Sequence, residues 1–352
     1  MSAYRISWLR DRCHRREEGL SMIELMVALV LSSILTLGVL TVYLDSSDNS
    51  RMSQSLARVQ EAGRIALGIM TRDIRMAGFQ GCSDPMQDLG PMFSASSLDG
   101  DFFGVGLRGI EVGGSNWDSA ADHIGVNNIK ASAIAATDVV QVHRASAPQA
   151  VLDSDMATAG SVIQTVDEKG AQDFTQGEAA LITNCVNADV FTVQSEDGET
   201  QKIKHNPLSN VYPAGSQVFH FSTDTYWVQD TGREDDQGNA VFALYRNGNE
   251  IVAGVERLQV QYGVREDDNI RYAGAAAVNN DEWNDVEAIR VGLLVSDAQS
   301  VMPSSDAKDY SMPGLTVQPA GTAGAAATYP DDQRLRRVFV TTIKLRNQIP
   351  TR

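Results

Sequence analysis

The chain has 352 residues, with 29 basic and 45 acidic side chains and a formal net charge of −16. That length holds one large domain or two modest ones, and 43% hydrophobic residues are enough for a buried core. So acidic a chain repels phosphate backbones, which excludes nucleic-acid binding through a broad basic face and suits a soluble exported domain.

The N-terminal segment reads Arg15-Arg16-Glu17-Glu18-Gly19-Leu20-Ser21-Met22-Ile23-Glu24, and no charge follows from Leu25 to Leu44. At about 1.5 Å per residue, a helix of that length spans a bilayer's hydrocarbon core. The run is too long for the apolar region of a secretory signal peptide, and no convincing small-residue cleavage site follows it. A plain signal anchor accounts for the length and for the arginines ahead of it, which keep the N-terminus cytoplasmic. It does not account for Glu24. A carboxylate in lipid costs at least about 2.5 kcal/mol, so an acid placed there has a partner and a task.

Gly19, the apolar residue after it, Glu24 five places past the glycine and the long apolar helix together resemble the type IV prepilin leader. The resemblance implies cleavage after Gly19 by a prepilin peptidase, which supplies the catalytic carboxylates, and methylation of the new N-terminal Leu20, where the family usually has Phe. Gly19 has no side chain to keep an extended backbone out of a protease cleft. Glu24 is expected to pair with the α-amino group of a neighbouring subunit, which sets axial register and offsets the cost of its burial. Loss of residues 1–19 leaves the mature chain near −18.

Beyond the apolar run, Met52, Leu56, Val59, Gly63, Ala66 and Met70 recur at steps of three and four, one face of an amphipathic helix that packs on a domain. Arg51, Arg58, Arg64, Arg72 and Asp73 occupy other faces, and the helix is expected to end near Ala77, before Gly78. Ser32-Ser33 and Gly38 are candidate soft points. Asp84–Ser119 reads as a long loop. Strands are predicted at Val139–His143, Val190–Gln194, Gln201–Lys204, Gln217–Phe221, Tyr226–Gln229, Val241–Arg246, Glu250–Val252, Val255–Val264, Val286–Val295 and Val338–Leu345. Asp197-Gly198 and Asn247-Gly248 mark hairpins. Gln299–Asp332 reads as another loop. One long helix followed by antiparallel strands is an α+β, pilin-like pattern. The expected segments are a cleaved leader (1–19), a transmembrane and assembly helix (20–44), its amphipathic continuation (45–78) and a periplasmic β-rich domain (79–352).

Two further segments narrow the family. Arg72-Asp73-Ile74-Arg75-Met76-Ala77-Gly78-Phe79, with Gly81-Cys82 behind it, resembles the helix end of the PilW group of minor pilins. Arg336-Arg337-Val338-Phe339 and Thr341-Thr342-Ile343-Lys344-Leu345-Arg346-Asn347 resemble that group's closing strand, and Val286–Val295 fits as well. The resemblance implies a minor pilin that primes a type IV pilus at its tip, alongside other minor pilins, the major pilin and a tip adhesin. The alternative is a minor pseudopilin of a type II secretion system. No cofactor, metal or nucleic acid is expected, and the location is the inner membrane followed by the pilus fibre.

Outside the leader, Cys82 and Cys185 are an even pair in an exported domain, and a disulfide is expected over free thiols. Zinc is disfavoured because Cys-x-x-Cys is absent and His14, His123, His143, His205 and His220 are scattered. Glu234-Asp235-Asp236 and Glu266-Asp267-Asp268 lack the spacing of a calcium loop and read as solvated turns. Trp117, Trp227 and Trp283 read as core or loop anchors before an adhesive surface. No Gly-x-Ser-x-Gly, P-loop or dinucleotide-binding Gly-x-Gly-x-x-Gly is read, and no enzyme is expected.

Overall fold

The structure, a computed structural model, describes residues 21–82, 94–95, 106–113, 133–194 and 201–347. Gly19, Leu20, Cys13, His14, His123, Trp117 and the Asp197-Gly198 turn lie outside the described residues. By its contacts the chain forms two compact units, residues 1–51 and 52–352.

Helix α1 spans Met22–Arg75. From Met22 to Leu44 every side chain is exposed, in a stretch whose mean hydropathy reaches 2.5. From Met52 onward the helix belongs to the second unit, where one stripe is buried: Ser55, Val59, Gly63, Ala66, Met70, Asp73 and Ile74. The predicted stripe holds at Val59, Gly63, Ala66 and Met70, while Met52 and Leu56 sit half-buried at its border. Its small residues set the distance to the sheet. A Cβ added to Gly63 would lie 2.5 Å from the Phe339 ring, so only glycine admits that ring.

The strands follow in chain order. They are β1 (Ser94–Ala95), β2 (Leu107–Val112), β3 (Thr137–Val151) and β4 (Ile163–Gln164), then a short helix α2 (Glu168–Gln172). Next come β5 (Ala179–Thr183), β6 (Ala188–Thr192), β7 (Lys202–Ile203), β8 (Gln217–Glu234), β9 (Ala240–Arg246) and β10 (Asn249–Ala253). The last group is β11 (Val255–Glu266), β12 (Asn269–Ala273), β13 (Val286–Ser300), β14 (Tyr310–Met312), β15 (Leu315–Pro319), β16 (Ala327–Tyr329) and β17 (Arg334–Lys344).

Two sheets carry the architecture. In the eight-stranded sheet, ordered β1-β6-β5-β8-β3-β2, strand β8 pairs with β3 on one edge and with β5 and then β9 on the other. The four-stranded sheet is antiparallel, ordered β12-β11-β13-β17. The buried stripe of α1 packs across both, against Val140, Val142, Tyr226 and Leu244 of one and Leu258, Val260, Val291 and Ile343 of the other. A second core, around Phe174, Ile182, Phe191 and Tyr212, fills residues 150–218.

The sheets are stitched where β3 begins. Thr137 Oγ1 both donates to the Leu258 carbonyl and accepts from its amide, each at 3.1 Å. Asp138 Oδ2 accepts the Val260 amide at 2.6 Å, and Gln259 Nε2 donates to the Ala136 carbonyl at 3.0 Å. Side chains here satisfy backbone groups of β11 that a neighbouring strand would otherwise pair. Burial drives the Asp138 carboxyl up from 3.8 to about 8, against the pull of the Val260 amide, and Glu111 adds to the rise.

The end of α1 is held by a second polar cluster. Asp73, 4% exposed, accepts from the Tyr226 hydroxyl, from Arg246 Nη1 at 2.9 Å and from Arg144 Nη2 at 3.4 Å. Arg144 also donates to Asp224 Oδ2 at 2.9 Å. Burial and the Asp73 contact both push the Tyr226 phenol up, so it stays a donor.

Several features differ from the sequence reading. Asp73 is buried in the helix stripe, because three donors from β3, β8 and β9 converge on it. Ser222–Thr225 does not break β8. Thr223 faces His143 in the ladder, and Asp224 is tied to Arg144. The segment read as the Asp84–Ser119 loop contains β2, which buries Arg108, Ile110 and Val112 on one face and pairs with β3. The Gln299–Asp332 loop carries a three-stranded sheet, β14-β15-β16, folded over Leu294. The Asn247-Gly248 hairpin forms as read, with φ of 50° and 84° at the turn.

Removing the Asp73 carboxylate leaves buried donors unpaired, and Asp73→Ala is expected to cost about 3 kcal/mol in chemical denaturation of the full chain in detergent. A loss below about 1 kcal/mol would refute the central role given to this residue. Asp138 titrates higher folded than unfolded, so its contribution is complete below about pH 4 and is lost as pH rises towards 8. Asp138→Asn keeps the acceptor for Val260 and should gain stability over wild type across that window, by an order of 5 kcal/mol at pH 9. Parallel stability curves from pH 4 to 9 would contradict it.

Candidate functional site

The N-terminus of α1 is closed by a reciprocal cap. The Ser21 amide donates to Glu24 Oε2 at 3.0 Å, and the Glu24 amide approaches Ser21 Oγ at 3.4 Å. This is the Ser-x-x-Glu capping box, legible in Ser21-Met22-Ile23-Glu24 but overlooked when Glu24 is considered only as a charge in lipid. The cap satisfies amides that lipid cannot hydrate, and it sets a carboxylate against the positive end of the helix dipole. Oε2 is engaged, and Oε1 has no partner among the described residues. One oxygen of the carboxylate thus serves its own helix.

Polar groups further along the apolar run satisfy themselves. Ser32 Oγ bonds the Leu29 carbonyl at 3.0 Å, Ser33 Oγ that of Val30 at 2.8 Å, Thr36 Oγ1 that of Ser32 at 2.7 Å and Thr41 Oγ1 that of Gly38 at 2.9 Å. The helix is continuous through Ser32-Ser33 and Gly38. Nothing lies within 4 Å of a Cβ placed on Gly38, so this face is open to another helix.

At the other end, Gly78 terminates α1 at φ 72°, and a Cβ there would meet the Asn347 carbonyl at 2.8 Å. The chain then pairs with β3: the Gly78 amide bonds the His143 carbonyl at 2.9 Å, and the Ala145 amide the Phe79 carbonyl at 2.8 Å. Cys82 and Cys185 are joined as a disulfide across 103 residues of sequence. Closing so long a loop restricts the unfolded chain, for a gain of a few kcal/mol. The helix-end segment and the closing strand, read separately in the sequence, thus meet at Gly78 and Asn347, while Val286–Val295 pairs with that strand along β13 and β17.

The remaining candidates resolve as structure. Trp227 and Trp283 are each 3% exposed, Trp283 edge-on to Tyr262 with centroids 4.8 Å apart, so neither forms an adhesive surface. Asp235 is not a solvated turn residue. Its carboxylate is buried, accepts the Asn239 amide at 2.7 Å and pairs with Arg334 Nη2 at 2.7 Å. Burial works against these bonds, which still pull it down to about 2. Arg336 lies beside Arg334 and bonds Glu256 and Asp332 through both arms of its guanidinium. Glu266-Asp267-Asp268 is exposed at the β11–β12 turn, as read. Contrary to the sequence reading, a Gly-x-Gly-x-x-Gly spacing does occur, at Gly104-Val105-Gly106-Leu107-Arg108-Gly109, but its second half enters strand β2 where a dinucleotide-binding fold requires a helix. Among the described residues no group of three His, Cys, Asp or Glu side chains converges as metal ligands.

Comparison with known families agrees with this layout. The family of type IV pilus-assembly protein W, PilW, matches residues 233–347, which run from the end of β8 through the four-stranded sheet to Asn347. The prokaryotic N-terminal methylation motif matches residues 14–40, the leader and the first turns of α1. No curated protein matches the chain. The prepilin leader implies processing by a prepilin peptidase and assembly with other pilins, and the apolar helix behind it fits anchoring in the inner membrane. The prepilin leader motif at one end and the PilW region at the other together match a PilW-family type IV pilin.

Proposed function

We propose that this pilin is a minor subunit that primes assembly of a type IV pilus and stays at or near its tip. In this reading a prepilin peptidase cuts after Gly19 and Leu20 becomes the methylated N-terminus. Residues 20–44 cross the inner membrane and then line the fibre core, 45–78 continue the helix, and 79–352 form the periplasmic and later surface-exposed domain. The observation that carries the reading is the PilW match over residues 233–347 behind a prepilin leader. The tip position is supported by bulk outside that match: a second hydrophobic core in residues 150–218, which a subunit packed on all sides would have to accommodate. Partners in this reading are other minor pilins, the major pilin and a tip adhesin. The Cys82–Cys185 bond suits the oxidising periplasm.

Deletion of the gene should abolish or sharply reduce pili recovered by shearing and counted by electron microscopy, with type II secreted enzymes unchanged in the same supernatants. Normal pili with blocked secretion would replace this reading with a secretion pseudopilin. The role of Glu24 is separable from its cap, because Gln can accept the Ser21 amide but carries no charge. Glu24→Ala and Glu24→Gln should both be cut to a mature mass beginning at Leu20. Both should enter sheared fibres at least about tenfold less than wild type, the equivalent of 1.4 kcal/mol. Normal incorporation of Glu24→Gln would reduce the residue to a helix cap.

A further inference from the structure

Two adjoining grooves open at the C-terminal end of α1, and arginine lines both. The larger, about 690 Å³, is walled by Arg72 and Arg75 of α1, Arg144 of β3 and Arg346 just past β17, with Met76 and Phe79 among its apolar residues. The smaller, about 440 Å³, shares Arg72 and Arg144 and adds Arg246 of β9. Among the described residues Asp73 is the sole carboxylate lining either groove, and it is already engaged by Tyr226, Arg246 and Arg144. Arg72, Arg75 and Arg346 are exposed and face no carboxylate within salt-bridge distance among the described residues.

A local account covers only part of this. Arg72 and Arg75 lie in the last turn of α1, where cations favour the helix dipole by about 0.3–1 kcal/mol each. That does not bring Arg144 of β3 and Arg346, just past β17, to the same opening. Nor does it explain three guanidiniums without a carboxylate partner among the described residues, around an apolar floor, in a chain of net charge −16 that has acids to spare.

We propose that this groove docks an acidic segment of a neighbouring subunit, one that sets two or more carboxylates beside an apolar side chain. The inference rests on the reading of the chain as a subunit of an assembly. Guanidiniums hold carboxylates by forked, charge-assisted hydrogen bonds, and the Met76 and Phe79 surface accepts the apolar side chain between them. A bilayer or a nucleic acid presents an extended anionic surface that also meets the acidic remainder of the chain and is repelled. A short segment meets the groove alone. Complementary charge of this kind sets partner choice and the rate of encounter.

The test uses the full chain in neutral detergent and a fluorescent hexapeptide of alternating glutamates and apolar residues, followed by anisotropy. Wild type should bind it saturably, more weakly as salt rises, and should ignore the peptide with every glutamate replaced by glutamine. Arg75→Glu/Arg346→Glu should bind at least about tenfold more weakly, and Arg75→Lys/Arg346→Lys should keep most of the affinity. Ala147→Trp, which fills the groove without changing charge, should also lose binding. Equal binding by the charge-reversed or filled variant, or by the glutamine peptide, would overturn the proposal. So would capture by phosphatidylglycerol vesicles that depends on Arg75 and Arg346 while the peptide does not bind. A negative result leaves the pilus reading to the deletion strain, and normal pili in that strain would overturn the pilus reading without touching the binding result.

Discussion

The join between α1 and the sheets turns on the carboxylate of Asp73. A buried charge is costly alone, but three donors from three different strands surround this one. Because those donors sit on β3, β8 and β9, the contact fixes both the rotation of residues 52–75 about the helix axis and their position along it. Apolar packing of Val59, Ala66 and Met70 supplies attraction but little registry, since one apolar side chain substitutes for another at modest loss. The glycine exit at Gly78, the two hydrogen bonds to β3 and the Cys82–Cys185 bond secure the same end of the helix.

The PilW-matching region has its own buried ionic centre. Arg334 and Arg336 on β17 meet Asp235, Glu256 and Asp332, all with side chains at most 1% exposed. Such a centre contributes less to net stability than an equal volume of apolar packing, because each ion loses its water. Its geometric demands are strict, however. It ties the start of the closing strand to the β8–β9 turn and to β11, so β17 cannot slip in register without stranding a guanidinium. The small β14-β15-β16 sheet sits over this centre, and Arg336 lies 4.4 Å above the Tyr329 ring.

One continuous helix thus works in two solvents. Its first part hides backbone and hydroxyl groups from lipid by local bonds alone, through the Ser21–Glu24 cap and the Ser and Thr contacts one turn back. Its second part is amphipathic and narrow, with Gly63 and Ala66 admitting the Phe339 ring and the sheet. The same helix is thus a self-satisfied apolar rod at one end and a seated element of the domain at the other.

What the sequence determined by itself is local. The prepilin leader, the apolar span and the Asn247-Gly248 hairpin depend on residues within a few positions of one another or on uninterrupted composition, so they are legible without a fold. The Ser21–Glu24 cap is equally local and equally legible, since both residues lie within one turn. Tertiary structure decided the rest, because it depends on contacts between segments far apart in the chain. Asp73 has the pattern of a surface residue until donors from positions 144, 226 and 246 close on it. Ser222–Thr225 looks like a break until β3 and Asn247 engage it. The arginine-lined groove needs α1, β3 and the segment after β17 together, and charge spacing along the chain cannot reveal a surface that only folding assembles.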